Sequence, residues 1–206
     1  MQIRLIKVLK ATVINIIVAF IIAIIILESV QLVLGDKIDM AISLANNISI
    51  GESENSKKET NFNKTENKLE NYPSYGSKYA TISIEAINVE LPVYFGDTLE
   101  ILKKGVGHSS GSYFPGESGS IIYMGHNSKD RFRKFSMLQK GDLIKVTTNY
   151  GEFNYRIYDM KIIKETDLEE LPIQKEKEIL MIYTCYPFNN IGYTDQRYVV
   201  YANLEK

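Results

Sequence analysis

Apolar and polar positions divide the chain into three stretches. The first is an uncharged apolar run over residues 11–27, ATVINIIVAFIIAIIIL. As a helix rising ~1.5 Å per residue it spans roughly 26 Å, close to the ~30 Å of a bilayer core. Val8 and Leu9 extend it on one side and residues 30–34 on the other. Arg4, Lys7 and Lys10 precede the run, and Glu28 and Asp36 follow it. This charge bias orients the N-terminus towards the cytoplasm and the remainder outside. A cleaved signal peptide would need a small-x-small pattern after the run. The text there is ESVQLVLGDK, which has none. The pattern therefore predicts an uncleaved transmembrane anchor over residues 1–35.

The second stretch, residues 36–78, becomes polar. Between residues 51 and 71 only Phe62 and Leu69 are large and apolar. A segment so poor in apolar surface does not offset its ordering entropy by burial. It is expected to be a solvated extracytoplasmic stalk.

The third stretch, residues 79–206, has the length of one domain. Short β-branched and aromatic runs alternate with turn residues, which predicts strands near residues 80–87, 89–95, 120–124, 142–148, 152–163, 178–184 and 197–204. Phe153, Tyr155 and Ile157 share one face of their run, and Thr148-Asn149-Tyr150-Gly151 reads as a hairpin turn. Helical text is confined to short turns near residues 98–103 and 131–138. This spacing implies an all-β sandwich or closed barrel.

Composition narrows the chemistry. The 206 residues carry a net charge of −1, without the basic footprint of a nucleic-acid binder. Fourteen Tyr, eight Phe and no Trp suit a β-rich interior. One cysteine, Cys185, excludes an internal disulfide and any multi-cysteine metal site within one chain. The two histidines are His108 and His126.

Cys185 follows the apolar run Ile179-Leu180-Met181-Ile182-Tyr183-Thr184 and precedes Tyr186-Pro187. Pro187 cannot continue a central strand. The cysteine is thus held stiffly on one side and open on the other, as a nucleophile requires. Its alternative is an inert buried thiol. Thiols react as thiolates and need a neighbouring histidine or cation. His126, in Tyr123-Met124-Gly125-His126, leaves an apolar strand. His108, in Gly107-His108-Ser109-Ser110-Gly111, lies in text that reads as a loose loop. A general acid or base must be rigidly held, which favours His126 over His108. Acyl transfer also needs donors for an oxyanion. Of five arginines, Arg4 belongs to the anchor, Arg131 and Arg133 to a polar turn expected to be exposed, and Arg156 to a strand. Arg197 opens the last strand. If the last two strands are adjacent, the loop of residues 186–196 returns Arg197 to Cys185.

Together these features resemble the sortases, cysteine transpeptidases of Gram-positive surfaces. Their Thr-Leu-x-Thr-Cys signature is similar to Met181-Ile182-Tyr183-Thr184-Cys185, with Met181 in place of the first Thr. Gly105-Val106-Gly107-His108, Phe114-Pro115-Gly116-Glu117 and Gly125-His126 also look like sortase text. Ser120 and Asn127 depart from it, where many members carry Asn and Arg or Thr. The compact layout is most similar to class D. The resemblance implies a closed eight-stranded β-barrel with short helical turns, Cys185, His126 and Arg197 converging at one end, and Thr184 as a positioning residue. It implies that His108 is not catalytic and that residues 164–177 wall a substrate groove. It further implies cleavage of an LPxTG-like sorting signal between Thr and Gly, and transfer of the acyl group to a peptidoglycan-precursor amine, with no cofactor. Two other readings compete with this one. An L,D-transpeptidase would set its cysteine in Ser-x-Gly-Cys-x-Arg, unlike Thr184-Cys185-Tyr186-Pro187. A noncatalytic wall-binding domain would have no need of all three residues.

Overall fold

The computed structural model describes residues 12–24, 60, 62–63, 66, 68–190 and 192–205. Residues 12–24 form a helix, α1, exposed along its whole length. Among the described residues no helix is long and apolar enough to cross a membrane. The rest of the expected anchor and the stalk up to residue 59 lie outside the described residues.

The folded domain is built from strands. A two-residue pair, β1 (Phe62–Asn63) and β2 (Lys68–Leu69), precedes β3 (Lys78–Ile84), β4 (Val89–Phe95), β5 (Val106–His108) and β6 (Ser120–Met124). Then follow β7 (Leu143–Thr148), β8 (Glu152–Lys164), β9 (Ile179–Tyr186) and β10 (Gln196–Leu204). Strands β3 to β10 close into a barrel in the order β10-β8-β7-β3-β4-β5-β6-β9. The pairs β4–β5 and β6–β9 are parallel, and the others are antiparallel. The hairpin turn is formed, with Thr148 N–H donating to the Gly151 carbonyl at 2.9 Å. Helix α2 (Leu99–Lys104) is capped by Thr98, whose hydroxyl accepts from Ile101 N–H.

Three features differ from the expectations of the sequence. Strand β5 falls in glycine- and serine-rich text that predicts a loose loop. It is nevertheless wholly buried and pairs in parallel with β4. A Cβ on Gly107 would lie 2.7 Å from the Gly96 carbonyl oxygen, so the close strand approach there requires glycine. Second, part of the polar segment packs on the barrel. Leu69 is 2% exposed within the core cluster, and the Phe62 ring stacks on Tyr150. Third, Arg131 is buried, not exposed. Its guanidinium donates to the Leu102 and Lys103 carbonyls at the C-terminal end of α2, where a helix leaves acceptors unsatisfied.

Side chains alternate between the two faces of each strand. Ile82, Val146, Tyr155, Ile182 and Val200 fill the barrel interior. Each fully buried apolar side chain of this size contributes roughly 1.5–3 kcal/mol. The alternate positions of β6, β8, β9 and β10 form a second cluster outside: Ile122, Ile163, Met181, Val199 and Tyr201. Leu171, from the connection between β8 and β9, packs against it. An outer sheet face is therefore apolar and roofed by that connection.

Candidate active site

Cys185 and Arg197 are direct partners in the antiparallel β9–β10 register, so both side chains leave the same face. Counting back in twos along β9 gives Tyr183 and Met181, which belong to the outer cluster. The thiol is therefore carried on the roofed outer face. It is a free cysteine of intermediate burial.

The backbone that leads to His126 runs beside the backbone that leads to Cys185 in the parallel β6–β9 register. Met124 pairs with Tyr183, and the Tyr183 hydroxyl donates to Met124 Sδ at 3.3 Å. One residue on, Gly125 N–H donates to the Tyr183 carbonyl at 3.2 Å. The Thr184 hydroxyl donates to the Gly125 carbonyl at 2.8 Å. Two residues past Met124 and Tyr183 are His126 and Cys185. Gly125 is required because a Cβ there would meet the Phe132 ring at 2.5 Å. Asn127 Nδ2 donates to the Pro187 carbonyl at 3.0 Å, tying the loop after His126 to the loop after Cys185. Thr184 is 1% exposed, so its position contributes through this backbone tie.

The charge around the thiol is organised. Burial raises the pKa of Tyr183, Arg197 opposes the rise, and Asp97 and Cys185 add to it, which puts all three within electrostatic reach of that phenol. Arg197 Nη2 donates to Glu165 Oε2 at 2.5 Å, and Nη1 to the Thr194 and Gln196 carbonyls at 2.6 and 2.9 Å. The Tyr193 hydroxyl donates to the other oxygen of Glu165 and is held above its ordinary pKa chiefly by that bond. Among the described residues no three His, Cys, Asp or Glu side chains gather as a metal site would need.

His108 stands elsewhere. It is 0% exposed on the interior face, ringed by Tyr79, Phe95, Phe114 and Tyr123. Ser112 Oγ donates to the Ser109 carbonyl at 2.9 Å and so accepts from His108 Nε2–H at 3.0 Å. That leaves Nδ1 to accept from Tyr79 Oη at 2.9 Å. Burial lowers its pKa to about 3, so the ring is neutral near pH 7. The sequence favours His126 over His108 because His108 lies in text that reads as a loose loop. In the structure His108 instead ends a buried strand, with both ring nitrogens engaged.

A family model for the sortase domain matches residues 82–205. The chain belongs to the sortase family. It is 40% identical over 136 residues to sortase D of Bacillus subtilis strain 168, covering 66% of this chain and 68% of that one. Among solved structures it is similar to a sortase D5 transpeptidase of Clostridium perfringens, with a TM-score of 0.60, 28% identity, and coverage of 82% of this chain and 99% of the other. A C. perfringens sortase C solved with the C-terminal cell wall sorting motif gives a TM-score of 0.57 and 26% identity over 65% of this chain and 73% of that one. The sortase chemistry is that of a transpeptidase, and the closed eight-stranded barrel is the sortase fold.

Two structural carboxylates were not anticipated, Glu165 beside Arg197 and Glu178 at the opposite end of β9 from Cys185. Glu165 is one acidic residue in a connection that also holds Asp167, Glu169 and Glu170, and nothing in the sequence singles it out. Glu178, buried below β9, accepts from Gly116 and Ser118 N–H at 3.0 Å each and from Tyr155 Oη at 2.6 Å. A lone Glu at a predicted strand start was the only signal for it.

Proposed function

We propose that this sortase cleaves an LPxTG-like sorting signal between Thr and Gly and transfers the new acyl end to a cell-wall amine. The Cys185 thiolate attacks the Thr carbonyl carbon. The C–N bond breaks, and His126, as imidazolium, protonates the departing glycine amine. The resulting thioester is attacked by an amine of a peptidoglycan precursor. His126 takes its proton, and the thiolate leaves. Arg197 donates to the oxygen that carries negative charge in both steps. The steps need no cofactor. The apolar outer face beneath the β8–β9 connection receives the Leu-Pro part of the signal. The apolar run of residues 11–27 holds the enzyme in the cell membrane as a single pass, with the N-terminus cytoplasmic and the domain outside.

The observation that carries this reading is the pairing of Cys185 with Arg197 on the outer face, beside the backbone that leads to His126. The sorting motif bound by the C. perfringens sortase C supports the substrate class. The test is incubation with a small library of Leu-Pro-x-Thr-x peptides, followed by intact-protein mass. An acyl adduct on the unaltered chain, absent from Cys185→Ala, is expected. Cleavage that persists in Cys185→Ala, or no adduct with any peptide, would contradict the reading.

A further inference from the structure

Arg197 is supported more heavily than a strand-end arginine needs to be. An exposed ion pair contributes little, and a long cationic side chain at a sheet end normally keeps its freedom. Here the Arg197 side chain is 18% exposed and meets three acceptors. Two are main-chain carbonyls, Thr194 in the loop after β9 and Gln196 at the start of β10. The third is the Glu165 carboxylate at the end of β8. Glu165 is itself held from two sides. The exposed Tyr193 phenol donates to its other oxygen, and its own N–H donates to the Asp195 carbonyl at 2.7 Å. Glu165 therefore ties the end of β8 to the β10 side of the β9–β10 turn.

A guanidinium has five donors in a rigid fork. Three of Arg197's are spent on these acceptors, two from Nη1 and one from Nη2. Among the described residues Nε–H and the second Nη2–H have no acceptor, and they are the donors left for a substrate oxygen. We propose that Glu165, steadied by Tyr193, is a positioning residue that orients Arg197 so that these donors meet the developing oxyanion. The proposal rests on the acyl-transfer reading above. An oxyanion donor acts only when it is held within a fraction of an ångström of its place, and a support that fixes it acts through it and not on the substrate.

The test is a double-mutant cycle on single-turnover acylation of Cys185, followed by intact mass. The variants are Glu165→Gln, Arg197→Ala and the pair. Gln keeps the size of a side chain that is 33% exposed and removes its charge, so folding is retained. Glu165→Gln is expected to slow acylation by ~10-fold in the unaltered background, with little change in the peptide concentration giving half-maximal rate. In the Arg197→Ala background it should cost nothing further, because the group it positions is gone. Tyr193→Phe should give a smaller loss that disappears in the same background. The same loss from Glu165→Gln in both backgrounds, or none in either, would overturn the positioning role. Failure of the unaltered chain to acylate would overturn the reaction itself, and Glu165's role with it.

Discussion

The barrel offers two histidines to two different surroundings, less than twenty residues apart in sequence. His108, at the end of β5, points inward. Aromatic rings enclose it, both ring nitrogens are used, and burial leaves it neutral. His126 is half-buried and follows the end of β6, whose parallel pairing with β9 runs towards Cys185. Both follow a glycine and both adjoin apolar strand text. Burial is what separates them: His108 is enclosed, and His126 is half-buried. The interior face stabilises the barrel, and there His108, Tyr79, Tyr123 and Ser112 are hydrogen-bonded to one another in a chain. The outer face carries an apolar floor, a roof, a thiol and a braced guanidinium, from which the proposed peptide site is built.

The largest effect that would sharpen this contrast is on the outer face. Arg197→Lys keeps the charge and loses the fork, and turnover is expected to fall ~10²–10³-fold, the scale of one lost oxyanion donor. Near-normal turnover in that variant would leave the fork with no part in the chemistry. Truncation on the interior side should act on stability instead. Leu69→Ala removes a side chain buried beneath a thin two-stranded hairpin that can partly collapse. It should cost about 2 kcal/mol in urea unfolding and leave kcat within a few-fold. A loss of turnover without a loss of stability would break the division between the faces.

A smaller effect comes from the His108 ring. Its folded pKa of about 3 lies below the ~6.5 of an unfolded chain. Between those values the unfolded state binds a proton that the folded state does not. His108 therefore subtracts nothing above about pH 6.5, and its contribution to unfolding falls by up to ~1.4 kcal/mol per pH unit below it. Urea unfolding at pH 7 and pH 5 should show this slope in the unaltered domain and a shallower one in His108→Gln. An unchanged slope would mean that the ring is not shielded as described.

The strands that build both faces were legible because they are long enough to show apolar alternation and are bounded by Gly, Pro and Asn. Strand β5 was not, since three residues around Gly107 carry no periodicity and owe their state to parallel pairing with β4. Leu69 was hidden for a similar reason, as one apolar residue in a polar segment gives no pattern. Cys185 and Arg197 could be paired in advance because a single loop joins their strands. The bracing of Arg197 could not, because Glu165 reaches it only through the β8–β10 register.

The most direct test of the two-face account is to measure kcat of His126→Ala and His108→Gln in one peptide-cleavage assay, with both variants shown to be folded. The account predicts that His126→Ala falls at least ~100-fold, the scale of lost general acid–base help, while His108→Gln stays within a few-fold of the unaltered enzyme. Equal losses in the two variants, or a larger loss in His108→Gln, would contradict it.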